Sequence, residues 1–134
     1  MTTGGGRLVV VDASALAALL FGEPDAAAVS DRLSGRRLTA PTLLRYEVAS
    51  VFVKKRGLYE PRADDLAEML SLYPLLGIEE VQADASAVAA LAVRTGLTAY
   101  DAAYLWTGRM LDAPVVTLDR RLAAAARDLG LPTG

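Results

Sequence analysis

Four carboxylates carry the chemistry that this sequence can perform: Asp12, Glu47, Asp101 and Asp119. Clustered carboxylates cannot all stay ionised unless a cation neutralises them, and hard oxygen ligands suit Mg²⁺ or Mn²⁺. Such an ion activates water and stabilises negative charge on phosphate oxygens. The chain contains no histidine and no cysteine, so any metal must be held by oxygen. The four residues therefore predict metal-assisted hydrolysis of a phosphodiester.

Each of the three aspartates also has a purely structural explanation. Asp12 and Asp119 stand where a predicted strand gives way to a predicted helix, and either could be an N-cap that contributes about 0.5–2 kcal/mol of stability. Asp101 closes the segment 98–101, which resembles a capping box with Asp in place of Glu. At Asp12 and Asp119 an Asp→Asn change separates the two explanations, because asparagine caps a helix as well as aspartate does.

Glu47 has no such explanation, because it lies inside a predicted helix, one turn after Leu43 and one turn before Val51. These positions form the apolar face of the helix, where an ionised carboxylate without a partner is very costly. Arg45 lies on another face. We therefore expect Glu47 to be protonated, paired with a distant arginine or bound to a metal.

Hydroxyls and cations accompany the acidic residues. Ser14 and Thr117 are close enough in sequence to the aspartates to orient ligands or water, although each alone fits a turn or cap hydroxyl. Arg120 and Arg121 directly follow Asp119, so they are the first candidates for contacts with substrate phosphates. Other cationic and aromatic side chains could also contact the substrate, but solvated helix ends are the more common positions for such cations, and the core is for such aromatics. These residues are Arg36, Arg37, Lys54, Lys55, Arg56, Tyr46, Tyr100, Tyr104 and Trp106.

Alternating strands and helices must position these side chains. The continuously apolar run Leu8–Val11 predicts a strand buried on both faces of a parallel sheet. Further signals predict helices over 14–21, 24–35, 41–57, 63–73, 84–95, 99–111 and 120–129, and strands over 37–40, 78–81 and 115–118. We therefore predict an α/β fold with a central, mainly parallel sheet and helices on both faces. Ligands gather at the carboxyl ends of such strands, where Asp12 and Asp119 stand.

The composition is that of one globular domain, with 134 residues, 53% of them hydrophobic and 22% charged. We predict a disordered N-terminal segment over residues 1–6 and a single domain over residues 7–134. No apolar stretch reaches the roughly 20 residues that span a bilayer, and the absence of cysteine fits a reducing cytoplasm. A net charge of −2 argues against a protein that coats nucleic acid by bulk electrostatics.

Four segments together resemble the PIN domain family and, within it, the VapC-type toxins of bacterial toxin–antitoxin pairs. Each segment carries one of the four acidic residues, and they follow in the family's order: VVVDASAL at 9–16, PTLLRYEV at 41–48, LTAYDAAYLW at 97–106 and VTLDRRL at 116–122. Each motif alone is weak. Four of them in the right order, over a chain of the right length, form a strong signal.

The resemblance implies a single PIN-like domain with Mg²⁺- or Mn²⁺-dependent endoribonuclease activity. It implies that Asp12 is a metal ligand supported by the Ser14 hydroxyl, and that the other acidic motifs complete the site. It also implies a homodimer and a cognate antitoxin whose tail lies in a groove and blocks the acidic site. The family cuts transfer, ribosomal or messenger RNA, so the resemblance leaves the target open.

Two alternatives remain open from the residues themselves. A haloacid-dehalogenase-like phosphatase would use Asp12 as its nucleophile, but such enzymes carry a second Asp two positions on, where this chain has Ser14. A non-catalytic α/β binding module would use the carboxylates as caps and one buried ion pair. Metal binding discriminates, because an ion bound only by the folded state raises the melting temperature.

Overall fold

The computed structural model describes residues 6–58 and 60–132 of the chain. Except for Gly6, the segment predicted to be disordered lies outside the described residues. The helices and strands found within these ranges are β1 Leu8–Val11, α1 Ala13–Leu20, α2 Ala26–Leu33, β2 Arg37–Pro41, α3 Leu44–Leu58, α4 Ala63–Leu70, β3 Glu79–Val81, α5 Ala85–Thr95, α6 Ala99–Leu111, β4 Val115–Val116 and α7 Arg120–Asp128, with 3₁₀ helices at Glu60–Arg62 and Tyr73–Leu76. In this part of the chain, no helix combines the length and apolar character needed to cross a membrane.

The four strands form one parallel sheet in the order β3-β2-β1-β4. The strand β1 is central, because Val10 pairs with Thr39 of β2 on one side and with Val115 of β4 on the other. The predicted parallel sheet of an α/β fold is therefore confirmed. Its topology brings the carboxyl ends of β1, β2 and β4 to one edge.

The core is built around β1. Its residues Val9, Val10 and Val11 are all 0% exposed, and successive side chains of a strand point to opposite faces, so both faces of the sheet are covered. The helix α6 packs against β1 and β2, while α2 and α7 pack against β4. These contacts hold the starts of α6 and α7 near the end of the central strand.

A glycine lets α6 approach β4 closely. A Cβ added at Gly108 would lie 2.9 Å from the Ala113 carbonyl oxygen and 2.9 Å from the Val115 side chain. Because real Cβ atoms do not approach other atoms that closely, a larger residue would push α6 off the sheet. The close contact fixes the helix that carries Asp101 and Tyr104.

The predicted start of α3 at Pro41 is wrong, because Pro41 is the last residue of β2 and pairs with Val81 of β3. The backbone N–H of Thr42 then donates to the Val81 carbonyl at 3.0 Å, which extends the strand-like path by one more residue. Tertiary pairing with β3 therefore outweighs the local preference of proline for a helix start. The helix α3 begins three residues later, at Leu44.

Other boundaries also differ from the prediction, among them those of β4, α4 and α2. The strand β4 ends at Val116 rather than Leu118, and the Thr117 carbonyl accepts a hydrogen bond from Arg32 Nη1 at 3.3 Å. The helix α4 ends at Leu70 rather than Tyr73, ahead of a 3₁₀ helix that contains Pro74, which cannot continue an α-helix. Helix α2 starts at Ala26 rather than at residue 24, two residues later than predicted.

Candidate active site

Asp12 directly follows the central strand and is only 4% exposed. Its Oδ1 accepts a hydrogen bond from the Ala15 backbone N–H at 2.9 Å, so Asp12 is the N-cap of α1, and a second from Ser14 Oγ at 2.8 Å. Its Oδ2 accepts from Thr117 Oγ1 at 2.5 Å. Both oxygens are therefore oriented by protein donors, which fixes the carboxylate at the carboxyl edge of the sheet.

The same two hydroxyls join the end of β1 to the loop after β4. Ser14 Oγ accepts the Leu118 N–H at 2.9 Å, and Thr117 Oγ1 accepts the Asp119 N–H at 2.9 Å. The two hydroxyl oxygens lie 3.3 Å apart, and each has already directed its only proton to Asp12. The sequence predicts Ser14 and Thr117 as supporting residues, and the structure places both hydroxyls on Asp12.

Asp119 is the N-cap of α7. Its Oδ1 accepts from the backbone N–H groups of Arg121 at 2.8 Å and Leu122 at 3.2 Å. Among the described residues no protein donor is bonded to Oδ2, so that oxygen is available to a ligand. The cap expected as a structural explanation of Asp119 is thus present, and it occupies only one of the two carboxylate oxygens.

Glu47 lies in the first turn of α3 and is half-buried. The buried centre of the helix is formed by Leu44 and Val48, so the expected apolar face is displaced and Glu47 stands at its margin. Its partner is a hydroxyl, because Tyr104 of α6 donates a hydrogen bond to Glu47 Oε1. The ion pair with a distant arginine is not formed among the described residues, and Arg45 instead pairs with Glu80.

Asp101 lies in the first turn of α6, where its backbone N–H donates to the Thr98 hydroxyl at 3.1 Å. The predicted Thr98 cap is therefore present. Tyr104 follows Asp101 by three residues, which places both side chains on the same face of α6. One helix thus carries a candidate ligand and the residue that contacts Glu47.

We call Asp12, Glu47, Asp101 and Asp119 the acidic site. Burial is the largest effect on three of them, and it raises the pKa of Asp12, Glu47 and Asp101. The hydrogen bond from Thr117 lowers the pKa of Asp12, and that from Tyr104 lowers the pKa of Glu47, but neither cancels the effect of burial. Burial and the negative charge of Glu47 also raise the pKa of Tyr104, which is therefore a neutral donor.

Repulsion links the four carboxylates into one electrostatic unit. After burial, the charge of Asp101 raises the pKa of Asp12, and the charges of Asp101 and Asp12 raise that of Glu47. Asp119 raises the pKa of Asp101 in turn, while the nearby Arg121 lowers it. The side chains lie close enough to repel one another, and one cation near the group would relieve all of these interactions.

The acidic site has the donor atoms of a divalent cation site, but its carboxylates are not arranged as a coordination sphere. Within residues 6–58 and 60–132, no three acidic side chains converge closely enough to hold a metal ion. The donors are carboxylate oxygens supported by two hydroxyls, and hard cations such as Mg²⁺ and Mn²⁺ prefer this set. Buried, mutually repelling carboxylates with oxygen as their only donor atom fit such an ion.

The two candidate substrate cations lie at the start of α7. Arg120 is exposed, and Arg121 donates from Nη2 to the Gly96 carbonyl at 3.0 Å, which anchors its guanidinium beside the acidic site. Sequence reasoning missed two further participants. Tyr104 shares a helical face with Asp101, a signal that was available, whereas no pattern in the sequence indicates the contact of Arg32 with the Thr117 carbonyl.

Comparisons with known proteins identify the family and the fold. Residues 9–128 match the PIN domain. The chain is 33% identical over 120 residues to Ribonuclease VapC3 of Pyrobaculum aerophilum, which covers 86% of this chain and 92% of that protein. The crystal structure of PAE2754 from Pyrobaculum aerophilum superposes with a TM-score of 0.63 at 25% identity, over 92% of this chain and 93% of that one. These similarities favour the PIN domain over a haloacid-dehalogenase-like phosphatase.

Proposed function

The chain belongs to the PIN-domain family, and from that membership we propose that it is a metal-dependent endoribonuclease, the toxin component of a type II toxin–antitoxin system. The observation that carries the proposal is Asp12, a carboxylate only 4% exposed at the end of the central strand, beside charges of the same sign. A cation nearby favours the ionised form of such a buried carboxylate. The name of the similar Ribonuclease VapC3 supports the reaction class.

The residues proposed to hold Mg²⁺ or Mn²⁺ are Asp12, Glu47, Asp101 and Asp119. When bound, the ion supplies an activated water and positive charge beside the phosphate that is cleaved. This chemistry requires no histidine, which the sequence lacks. It yields hydrolysis of an RNA phosphodiester.

Other residues of the chain prepare the site. The hydroxyls of Ser14 and Thr117 hold the Asp12 carboxylate in one orientation, which lowers the cost of ordering it when a ligand binds. Arg120 and Arg121 stand at the N-terminus of α7, whose dipole also favours an anion, and we assign them to RNA phosphates. The net charge of −2 makes this local pair more important, because no bulk positive charge attracts RNA.

The proposed partners are RNA, a second copy of the chain in a homodimer, and a cognate antitoxin whose tail blocks the acidic site. We place the protein in the cytoplasm, where its RNA substrate lies. A chain without cysteine has no disulfide that this reducing compartment could break. The proposed antitoxin is tested by whether a small reading frame directly upstream encodes a protein that binds the chain and suppresses RNA cleavage. Cleavage that such a protein leaves untouched would favour a nuclease that acts alone.

The decisive experiment compares cleavage of total RNA by the wild type and by Asp12→Asn, with Mg²⁺, with Mn²⁺ and with a chelator. Asparagine keeps the cap on α1 and removes the charge, so the variant should fold and should not cut. The matched control is Asp84→Asn, which changes the N-cap of α5 outside the acidic site and should cut like the wild type. Equal, chelator-resistant cleavage by all three proteins would refute the proposal.

A further inference from the structure

The contact between Tyr104 and Glu47 joins the core to the acidic site. Tyr104 is 1% exposed, and its ring belongs to the main hydrophobic core, yet its hydroxyl donates to Glu47 Oε1 on another helix. Glu47 is half-buried, in the first turn of α3. The tyrosine side chain, which core packing holds in place, therefore fixes one oxygen of the more flexible glutamate through a hydrogen bond.

The hydrogen bond involves only one of the two carboxylate oxygens of Glu47. Oε1 is occupied by the tyrosine hydroxyl, and among the described residues no protein donor is bonded to Oε2. Glutamate has three side-chain torsions and loses substantial rotamer freedom when it is ordered. A neighbour that has already ordered the carboxylate removes that cost from the binding of a ligand.

We propose that Tyr104 is a positioning residue, which holds Glu47 so that its second oxygen is presented to the divalent cation. The inference rests on the proposed function, because it requires that the acidic site binds a metal. It goes further in assigning a role to a core tyrosine whose hydroxyl has no other partner among the described residues. Partners of this kind behind a metal ligand typically change metal affinity by roughly 10- to 100-fold.

A purely structural role is the competing explanation. A buried tyrosine hydroxyl needs an acceptor, and Glu47 could serve only to satisfy it. The two explanations differ in what the loss of the hydroxyl does. A structural role lowers the stability of the metal-free protein, whereas a positioning role lowers the affinity for the ion.

The test is the affinity for Mn²⁺, measured by electron paramagnetic resonance of the free ion, for the wild type and Tyr104→Phe. The change removes only the hydroxyl, and we expect Mn²⁺ to bind roughly 10- to 100-fold more weakly. The matched control is Tyr73→Phe, because the Tyr73 hydroxyl also donates to a glutamate, Glu80, at 3.0 Å, outside the acidic site. This control should bind Mn²⁺ like the wild type.

A second pair of variants tests whether Tyr104 acts through Glu47. In a Glu47→Gln background the carboxylate is already lost, so adding Tyr104→Phe should weaken Mn²⁺ binding no further. An equal further loss in that background would overturn the inference, as would unchanged binding by Tyr104→Phe alone. If the wild type itself binds no Mn²⁺ at millimolar concentration, the metal dependence in the proposed function fails as well, and the two failures are thereby distinguished.

Discussion

Both carboxylate oxygens of Asp12 accept hydrogen bonds from side-chain hydroxyls, and one also accepts a backbone N–H. Asp119 caps its helix with one oxygen and keeps the other free of bonds to the described residues. The capping role and the proposed metal role therefore do not exclude each other. Each of these aspartates is oriented as the cap at the start of its helix, and this orientation places its carboxylate in the acidic site.

Thr117→Val should reduce the free energy of unfolding by about 1–3 kcal/mol, because it leaves a buried oxygen of Asp12 without its donor and the Asp119 N–H without its acceptor. Urea unfolding measures this loss. Thr107→Val is the matched control, because Thr107 is also buried but its hydroxyl donates only to a carbonyl of its own helix. Equal losses in both variants would show that the hydroxyl network at Asp12 contributes nothing special.

Asp101→Asn should stabilise the metal-free protein at neutral pH. Burial and the charge of Asp119 raise the pKa of Asp101 in the folded state above the ordinary value of 3.8. Its contribution to stability is therefore fully present below that ordinary value and is lost as pH rises through the raised pKa. Asparagine cannot ionise, so the variant should escape this loss.

The measurement is urea unfolding in chelator between about pH 4 and pH 7, a range that spans the titration of carboxylates. The control is Asp31→Asn, which removes an exposed carboxylate from α2. The difference between Asp101→Asn and the wild type should widen as pH rises. A constant difference would contradict the raised pKa.

Residue types and their order suffice to select the four carboxylates of the acidic site from the sequence. The contact between Glu47 and Tyr104 is different, because it joins two helices across 57 positions and depends on how those helices pack. A periodic pattern indicates which face of a helix is buried, but not which side chain of another helix lies opposite. The sequence therefore places Tyr104 on the face of α6 that carries Asp101, but it does not indicate that Tyr104 is the hydroxyl partner of Glu47.

At the scale of elements, strand ends and helix starts position the candidate ligands. Asp12 lies between β1 and α1, Asp119 caps α7, and Glu47 and Asp101 lie in the first turns of α3 and α6. Every one of these places lies near the positive end of a helix dipole, which favours a carboxylate. The fold thus offsets part of the repulsion within the acidic site.

Asp119→Ala should destabilise the protein by about 0.5–2 kcal/mol through loss of the α7 cap, whereas Asp119→Asn should keep the cap. Both variants should lose RNA cleavage, because both remove the charge. Asp84→Ala removes the cap of α5 and should lose similar stability while it retains cleavage. Full cleavage by Asp119→Asn would show that Asp119 serves only as a structural cap.

Apolar runs and caps predicted the elements well where local signals dominate. Helix α6 begins after the cap Thr98, as expected, and α5 begins at Ala85, one residue after its predicted start, with Asp84 as its N-cap. The start of α3 was misplaced because the pairing of Pro41 with β3 joins residues that are far apart in sequence. Boundaries decided by tertiary pairing cannot be derived from a local pattern.

At the scale of the whole molecule, the parallel sheet gathers residues from the first and last quarters of the chain at one edge. Alternating strands and helices predict a parallel sheet, but the central position of β1 is known only from the pairing of the strands. The sequence predicted the class of sheet, but the strand order has no signature in a single chain. The acidic site is therefore a product of the complete topology.

Mg²⁺ or Mn²⁺ should raise the melting temperature of the wild type, because only the folded chain assembles the acidic site. Linkage predicts about 2.7 kcal/mol of stabilisation when the free ion reaches 100 times its dissociation constant. Differential scanning calorimetry with metal and with chelator measures the shift, which should be several degrees for a domain of this size. Asp12→Asn should show a smaller shift, and an absent shift in the wild type would contradict the metal site.

The bond between Thr117 and Asp12 connects residues 105 positions apart, which places a constraint on biosynthesis. Translation makes Asp12 and Glu47 before it makes α6, β4 and α7. The growing polypeptide therefore carries only part of its acidic site while it is next to the RNA of the ribosome. The order of the elements along the chain thus delays the proposed nuclease until β4 and α7 have been synthesised.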